Sequence, residues 1–349
     1  MVEVKNIFEI SDSTYHYAAG YYTTNKWLDN DTIVIARSEC PEMFSYSAPV
    51  ELVKVCLSTK EITLLCSDAA GHECFGVHGK NVYYTDGKRL ILLDSFSGEK
   101  LVLLDLSSTA DGKDYRLTMP DITSDGKYIS VLYQRKDMPS IFYLVDSKNG
   151  NIRYSFEKEF ARPFDLANHG MVCPTNPDVM FFAHEGQTRY VSNRLWIYNA
   201  KNNDMYNLAK QHLDENGILG DCFGHEMWAP HGKGMYFVKY PCSPVPPRGI
   251  CYVDLETRKT EILYSSYPYW HVGVSHNNRY LLSDTQTNDI DSKVVVIDRE
   301  DNTETVIDEV KVKVHPAHPH PQMSPDNKKV IYTTIDHEGR IYIKCAVLE

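Results

Sequence analysis

The chain repeats one unit of strands and turns, and this repeat constrains the fold more than any other feature. In the clearest copy, residues 122–156, the turn SDGK leads into YISVLYQ, the run IFYLVD ends in an aspartate, and SKNGN leads into a third run. Short runs of Val, Ile, Leu and Tyr between Asp, Gly, Asn and Lys are typical of strands and turns. Further copies, at a period of roughly 40 to 50 residues, lie at 26–66, 78–104, 175–208, 229–264, 275–307 and 324–347.

Seven copies of this length predict an all-β protein, a seven-bladed β-propeller. Each copy supplies about four strands, and radial packing of the resulting sheets buries both faces of each one. The last copy lacks an outer strand, and we expect residues 3–10, EVKNIFEI, to supply it and close the blade. We therefore expect one domain over residues 1–349, with six or eight blades as alternatives because the copies at 78–104 and 175–208 are weaker.

Composition narrows the possible partners and compartment. The net charge is -11 and no basic run of five residues occurs, which argues against a nucleic-acid partner and requires a locally positive site for any anionic substrate. The nine cysteines are scattered without a CxxC pair, which is typical of reduced thiols. No apolar stretch has the length of a signal sequence or a membrane span. We expect a cytoplasmic protein without a membrane partner, and its oligomeric state stays open.

Several of the 14 histidines fall at one phase of the repeat. His169, His225, His271 and the pair His318 and His320 each precede, by about five to eight residues, the turn that starts the next strand. Equal phase in a propeller means equal depth and radius, so these side chains should surround one end of the central channel. One such histidine is more often a packing residue, but five at the same phase favour a binding site.

The stretch HPAHPHPQMSPDNKK contains three histidines, His315, His318 and His320, within six residues. His318 and His320 are two apart, so on a strand they would share a face and could offer two nitrogens to one metal. His271, from the neighbouring blade, could supply a third. Imidazoles suit several transition metals, and the absence of a nearby cysteine argues against a structural thiolate zinc site. No GxSxG, P-loop, GxGxxG or HExxH motif offers another chemistry.

Four stretches in the second half carry a resemblance to a known family. They are NPDVMFFAHEG with RLWIYN, GHEMWAPHGKGMYFVKY, WHVGVSHNNRYLLSDT and HPHPQMSPDNKKVIYTT. In this order, over residues 168–347, the sequence resembles the oligogalacturonate lyases, polysaccharide lyase family 22. The first half matches only as a propeller, with a weak likeness at YHYAAGYYTTNKW.

The resemblance implies a metal centre. The family is a seven-bladed propeller whose metal, usually manganese, is held by three histidines and a glutamine, and the three histidine positions correspond to His271, His318 and His320. His315 stands where the family has its glutamine, so a four-histidine site is implied and the preference shifts towards softer ions. We expect a divalent metal, manganese first, with zinc, nickel, cobalt or iron as alternatives.

The resemblance also implies roles around the metal. The general base of the family, in its HE[FM]W motif, corresponds to His225. Its supporting arginine corresponds to Arg194, which we expect to donate two hydrogen bonds to the substrate carboxylate or the charge that develops on it. The family motif HEGP reads HEGQ here, and we expect His184 and Glu185 of this loop, together with His169, to contact the substrate.

The implied reaction is metal-dependent β-elimination on short oligogalacturonides, small acidic fragments of pectin, to give unsaturated uronates. Two alternatives stay open: a lyase for a different uronide, which the changes at His315 and HEGQ would allow, and a non-catalytic propeller that binds a sugar or another partner. A binding propeller would need neither a bound metal nor His225.

Overall fold

A computed structural model describes residues 2–12, 14–21, 23–40, 49–108, 115–286, 291–312 and 317–349. Across these ranges the chain forms 28 strands and no helix, and the strands make seven four-stranded sheets. Each sheet takes its strands in chain order, apart from the one that includes the N-terminal strand. The predicted seven-bladed β-propeller is therefore confirmed, and the alternatives of six and eight blades are excluded. None of the described segments is a helix able to cross a membrane.

The chain divides into two compact units, Met1–Val102 with Gly273–Glu349, and Leu103–Val272. Both borders fall inside strands, Lys100–Asp105 and Tyr269–Val274, and each of these strands is hydrogen-bonded into a sheet of the first unit. The expectation of a single domain over 1–349 stays a prediction.

The first unit holds four sheets. Their strands are β1 (Val4–Ile10), β2 (His16–Ala18), β3 (Thr32–Ser38), β4 (Val50–Cys56), β5 (Ile62–Ala69), β6 (Phe75–His78), β7 (Asn81–Thr85), β8 (Arg89–Asp94), β9 (Lys100–Asp105), β22 (Tyr269–Val274), β23 (Tyr280–Thr285), β24 (Asp291–Asp298), β25 (Thr303–Lys311), β26 (Gln322–Met323), β27 (Lys329–Ile335) and β28 (Ile341–Leu348).

The second unit holds three sheets. Their strands are β10 (Tyr115–Ile122), β11 (Tyr128–Arg135), β12 (Ser140–Asp146), β13 (Ile152–Lys158), β14 (Ala167–Cys173), β15 (Asn176–His184), β16 (Leu195–Asn199), β17 (Asp204–Asn207), β18 (Phe223–Trp228), β19 (Gly234–Lys239), β20 (Gly249–Asp254) and β21 (Thr260–Tyr264).

The N-terminal strand completes the last sheet, as the sequence predicts. This sheet has the order β1-β28-β27-β26, and β1 pairs antiparallel with β28 from Val4 opposite Leu348 to Ile10 opposite Ile343. Ile10 and Ile343 are buried in one hydrophobic cluster. The outer strand is therefore held by packing as well as by the ladder.

The recurring turn has a physical basis that is visible in several copies. Thr123 directly precedes SDGK, its hydroxyl donates to Asp125 over 2.8 Å, and Gly126 takes a φ of 72°. In SPDNKK the Ser324 hydroxyl donates to Asp326 over 2.6 Å, in the same pattern. A side chain that bonds its own turn favours a tight reversal between two strands.

Three successive first strands of the second unit carry a bulge at the same place. Met119 on β10, His169 on β14 and His225 on β18 have φ angles of 49°, 53° and 52°. The pairing register shifts around each of them. A left-handed conformation at a residue other than glycine costs about 1–3 kcal/mol and persists only where the surrounding structure determines it. A bulge also re-aims the side chain relative to the ladder.

Candidate metal centre and active site

Three of the predicted metal ligands come together. His271, His318 and His320 are buried, at 0%, 4% and 2% exposure. One nitrogen from each imidazole lies within 4.8 Å of the others. Since metal–imidazole bonds are about 2.0–2.1 Å long, two nitrogens on one ion stand no more than about 4 Å apart, and small ring shifts would bring these onto it. The donor set and its spacing fit a divalent transition metal, and His315 lies outside the described residues.

The route by which His318 and His320 meet differs from the prediction. They do not lie on a strand, because β26 begins only at Gln322. Pro319 and Pro321 flank His320 and lack the N–H groups that a ladder needs. His320 instead takes a φ of 43°, and the rings of the two histidines stand 5.7 Å apart at 77°.

A buried aspartate holds this turn. Asp284, on β23, is 0% exposed, and its Oδ2 accepts the backbone N–H of His320 over 3.2 Å. Tyr21 meets the His320 ring edge-on at 5.7 Å. Since the two prolines cannot donate, the backbone here is held by the His320 N–H bond to Asp284 and by the Thr333 N–H, which donates to the Pro319 carbonyl over 2.9 Å.

His225 lies beside the imidazole cluster. It is the third residue of β18, as His169 is of β14 and His271 is of β22, so the predicted equality of phase holds along these strands. The half-buried His225 ring has its centroid 3.9 Å from that of His271, at 69°. A potential proton acceptor therefore stands next to a potential metal ligand.

Tyr240 also packs against His225. Its ring meets the His225 ring edge-on, 5.5 Å away at 85°. A Cβ at Gly224 would lie 2.0 Å from the Tyr240 hydroxyl, so the absence of a side chain at Gly224 makes room for the phenol. Burial raises the pKa of Tyr240 well above its usual value, so the phenol stays protonated.

Arg194 lies at the centre of a buried ionic network. Its Nε donates to Glu226 Oε1 over 2.5 Å. Its two terminal nitrogens donate to the two Glu185 oxygens over 3.0 and 3.3 Å. His169 Nε2 lies 3.1 Å from Glu185 Oε2. Arg194 is only 4% exposed and its donors are paired with the carboxylates of Glu185 and Glu226, so its predicted contact with the substrate carboxylate stays a prediction.

The charges of this network support one another. Burial alone would raise the pKa of Glu185, but the Arg194 charge and the bond from His169 outweigh it and hold that pKa well below the usual range. Burial likewise disfavours the charged form of Arg194, and the two glutamates reverse the effect and raise its pKa. Glu185 and Arg194 are therefore both ionised at neutral pH.

The predicted substrate contacts fall in different environments. The side chains of His169 and Glu185 are 12% and 27% exposed. His184 bonds the Phe164 carbonyl through Nε2 over 2.7 Å and stacks on Phe160 with centroids 3.8 Å apart. The structure thus shows a packing role for His184, and its contact with substrate stays a prediction.

Sequence reasoning did not assign roles to Glu226, Tyr240 or Asp284. Each had a detectable signal, since a polar group in or directly after an apolar strand run must find a partner when it is buried. Asp284 stands in YLLSDT, and Tyr240 follows GMYFVK. The pattern shows that such a group is buried, but it does not show which strand supplies the partner.

Comparison with known proteins supports the likeness in sequence. No family model matches the chain. It is 24% identical over 197 residues to the oligogalacturonate lyase of Dickeya dadantii (strain 3937) and 25% identical over 199 residues to the oligogalacturonide lyase of Pectobacterium atrosepticum. Each alignment covers 50% of this chain and 48% of the relative, so the chain spans about half the length of the curated relatives it matches.

Comparison with solved structures extends the likeness over the whole fold. An oligogalacturonate lyase in complex with manganese matches with a TM-score of 0.79 at 17% identity, covering 100% of this chain and 96% of the other. The oligogalacturonate lyase of Vibrio parahaemolyticus matches with a TM-score of 0.76 at 17% identity, covering 99% and 98%. The resemblance to the oligogalacturonate lyases predicted from the sequence is therefore confirmed, in sequence over half of the chain and in fold over all of it.

Proposed function

We propose that the chain is a metal-dependent lyase that cleaves short oligogalacturonides by β-elimination to unsaturated uronates, with His225 as the general base. The observation that carries this proposal is the 3.9 Å contact between the His225 and His271 rings, which puts a proton acceptor beside three gathered imidazoles. Relatives named oligogalacturonate lyase, and a fold neighbour in complex with manganese, support it.

The chemistry requires a base and a means of neutralising charge. The C5 proton of a uronide is weakly acidic, and its removal builds negative charge on the neighbouring carboxylate. A divalent metal held by His271, His318 and His320 would supply a Lewis acid for that carboxylate. His225 takes the proton from C5 and the electron pair of that bond forms the C4–C5 double bond. The C4–O bond breaks, its electron pair stays on the glycosidic oxygen, and this oxygen takes up a proton as the hydroxyl of the released sugar.

The backbone conformation of His225 and its contact with Tyr240 fix the orientation of the imidazole. The left-handed bulge sets the direction of the side chain, and the edge contact with Tyr240 restricts rotation of the ring. Fixed orientation of a base lowers the entropy lost on reaching the transition state.

The network around Arg194 has a supporting role in this mechanism. Because the single positive charge of Arg194 is already paired with the carboxylates of Glu185 and Glu226, it adds little positive field for an anionic substrate. In a chain of net charge -11, that field then depends on the metal. Arg194 fixes Glu185, Glu185 fixes His169, and we propose that His169 and Glu185 hydrogen-bond the sugar hydroxyls.

Release of 4,5-unsaturated uronate from digalacturonate, followed by its ultraviolet absorbance, tests the proposal. We expect activity in metal-loaded protein, its loss with a chelator, and its return with a divalent metal, manganese being tried first beside zinc, nickel, cobalt and iron. His225→Ala should bind metal normally and lose at least about a hundredfold in rate, the lower range for a general base.

His337→Ala provides the matched control, since that side chain is 90% exposed and should leave the rate unchanged. Metal-loaded protein that forms no unsaturated product from digalacturonate would refute the galacturonate proposal, and product from a panel of other uronides would redirect it. Protein that binds no stoichiometric metal by elemental analysis would favour a binding propeller instead.

A further inference from the structure

Two thiols meet where β18 begins and the segment after β19 passes. Cys222 directly precedes β18, and Cys242 lies three residues beyond β19. The N–H of Tyr240 donates to the Cys222 carbonyl over 2.8 Å, and the N–H of Cys222 donates to the Ser243 hydroxyl over 3.0 Å. These bonds hold the two segments side by side, and the thiols of Cys222 and Cys242 are hydrogen-bonded to each other.

The two thiols differ in access and in surroundings. Cys222 is fully buried, whereas Cys242 is partly exposed. The sulfur of Cys242 also accepts hydrogen bonds from the side chains of Arg189 and Thr188. The bond from Cys222, followed by those from Arg189 and Thr188, lowers the pKa of Cys242 to about 6 despite burial, whereas the pKa of Cys222 is raised. Cys242 is therefore the more exposed residue of the pair and the one whose thiolate form is favoured, and its hydrogen-bond partner Cys222 stays a thiol.

The other cysteines provide the contrast. Burial raises the pKa of four of them: Cys66, Cys173, Cys251 and Cys345. Cys56 is partly exposed and has a lowered pKa, caused first by Ser58, but its sulfur contacts Asp31 and Ser58 rather than a thiol. Cys56 therefore shares the accessibility of Cys242 without a thiol that could complete a disulfide.

We propose that Cys242 and Cys222 form a hydroperoxide-sensitive pair, with Cys242 as the attacking thiolate and Cys222 as the resolving thiol. The Cys242 sulfur attacks one oxygen of hydrogen peroxide, the O–O bond breaks, and sulfenic acid and hydroxide form. The Cys222 sulfur then attacks the sulfenic sulfur, an S–S bond forms, and the hydroxyl leaves with the Cys222 proton as water. The two thiols are oxidised to one disulfide and one peroxide is reduced.

The site of this modification adjoins the candidate active site. Cys222 is three residues before His225, and Cys242 is two residues after Tyr240. The disulfide would tether the start of β18 to the segment that carries Tyr240. The thiol chemistry itself does not depend on the proposed lyase activity.

Treatment of the full chain with hydrogen peroxide, followed by differential alkylation and peptide mass spectrometry, tests the pair. We expect Cys222 and Cys242 to lose alkylation together, at least about tenfold faster than Cys56, and to regain it after reduction with a dithiol. In Cys222→Ser, Cys242 should accumulate as a sulfenic acid that dimedone traps. Cys56→Ser is the matched control and should leave the rate of disulfide formation unchanged.

Three results would overturn the proposal. The first is a Cys222–Cys242 pair that stays reduced while Cys56 is oxidised. The second is a sulfenic acid at Cys242 that persists in the unsubstituted chain, which would show that Cys222 does not resolve it. The third comes from Cys242→Ser, which keeps the buried thiol: oxidation of Cys222 at the original rate in that variant would show that Cys242 is not the entry point.

Discussion

Replacing Arg194 by methionine tests whether the buried network stabilises the fold. Arg194→Met keeps much of the volume and removes three charge-assisted bonds, one to Glu226 and two to Glu185. Glu226, 1% exposed, would be left as a buried charge without its arginine. Breaking a buried ion pair by removing one partner costs about 3–5 kcal/mol. Glu185 is 27% exposed and can recruit water, so the total should stay within that range.

The same figure predicts a shift in melting temperature. With an unfolding entropy of about 2.1 cal/mol/K per residue, a chain of 349 residues that unfolds as one cooperative body would melt roughly 4–7 °C lower. If Leu103–Val272 unfolds by itself, the shift would be about twice as large, because that unit contains about half of the residues. Calorimetry of Arg194→Met therefore also tests the single-domain prediction.

A compensated variant separates charge from packing. Adding Glu185→Gln and Glu226→Gln to Arg194→Met removes the stranded charges, so much of the lost stability should return. Arg194→Lys keeps the charge but not the planar fork, and should fall between the original chain and Arg194→Met. If Arg194→Met melts with the original chain, or if the triple variant is no more stable than Arg194→Met, the network does not stabilise the fold in the way described.

Three further predictions follow from single contacts. Gly224→Ala should displace the Tyr240 ring and lower both melting temperature and lyase rate. In a Tyr240→Ala background the same substitution should have little further effect on the melting temperature, and an equal loss there would contradict the contact. Because the pKa of Glu185 is lower in the folded chain, its contribution to the free energy of unfolding is complete above the unfolded pKa of about 4.3 and is lost as pH falls below that value. The difference in urea midpoint between the original chain and Glu185→Gln should therefore shrink below this pH. A difference independent of pH would refute the ion pair of Glu185 with Arg194 as its source. Asp284→Ala, which removes the acceptor, should weaken metal binding about 10- to 100-fold by calorimetry on metal-free protein, whereas unchanged affinity would show that the bond to His320 does not organise the ligands.

The architecture could be predicted because it depends on local patterns. The turn at Thr123 and its counterpart at Ser324 are held by hydrogen bonds among their own residues, so each of these copies of the repeat carries its own signal. The closing strand could be predicted from the number of strands in each copy, since the last copy lacked one strand and residues 3–10 belonged to no copy. Neither inference needed knowledge of contacts between distant residues.

The site was predictable only in part, because its geometry comes from pairs distant in sequence. Repeat phase placed His169, His225 and His271 at the same position of their strands. It could not show that Arg194 would be enclosed by Glu185 and Glu226, since these residues come from different loops and strands. It also assumed a strand for His318 and His320, where the two prolines instead impose a turn.

The left-handed bulge on β10 has a consequence for how such a protein acquires function. Met119 has the same left-handed φ as His169 and His225, so the strand that carries it already has the strained backbone conformation of the two histidine positions. A change of residue type at Met119 would therefore place a new chemical group in a preformed orientation without remodelling the strand. Equivalent positions in successive blades thus share one backbone conformation, and a single substitution at such a position can introduce new chemistry while the fold stays the same.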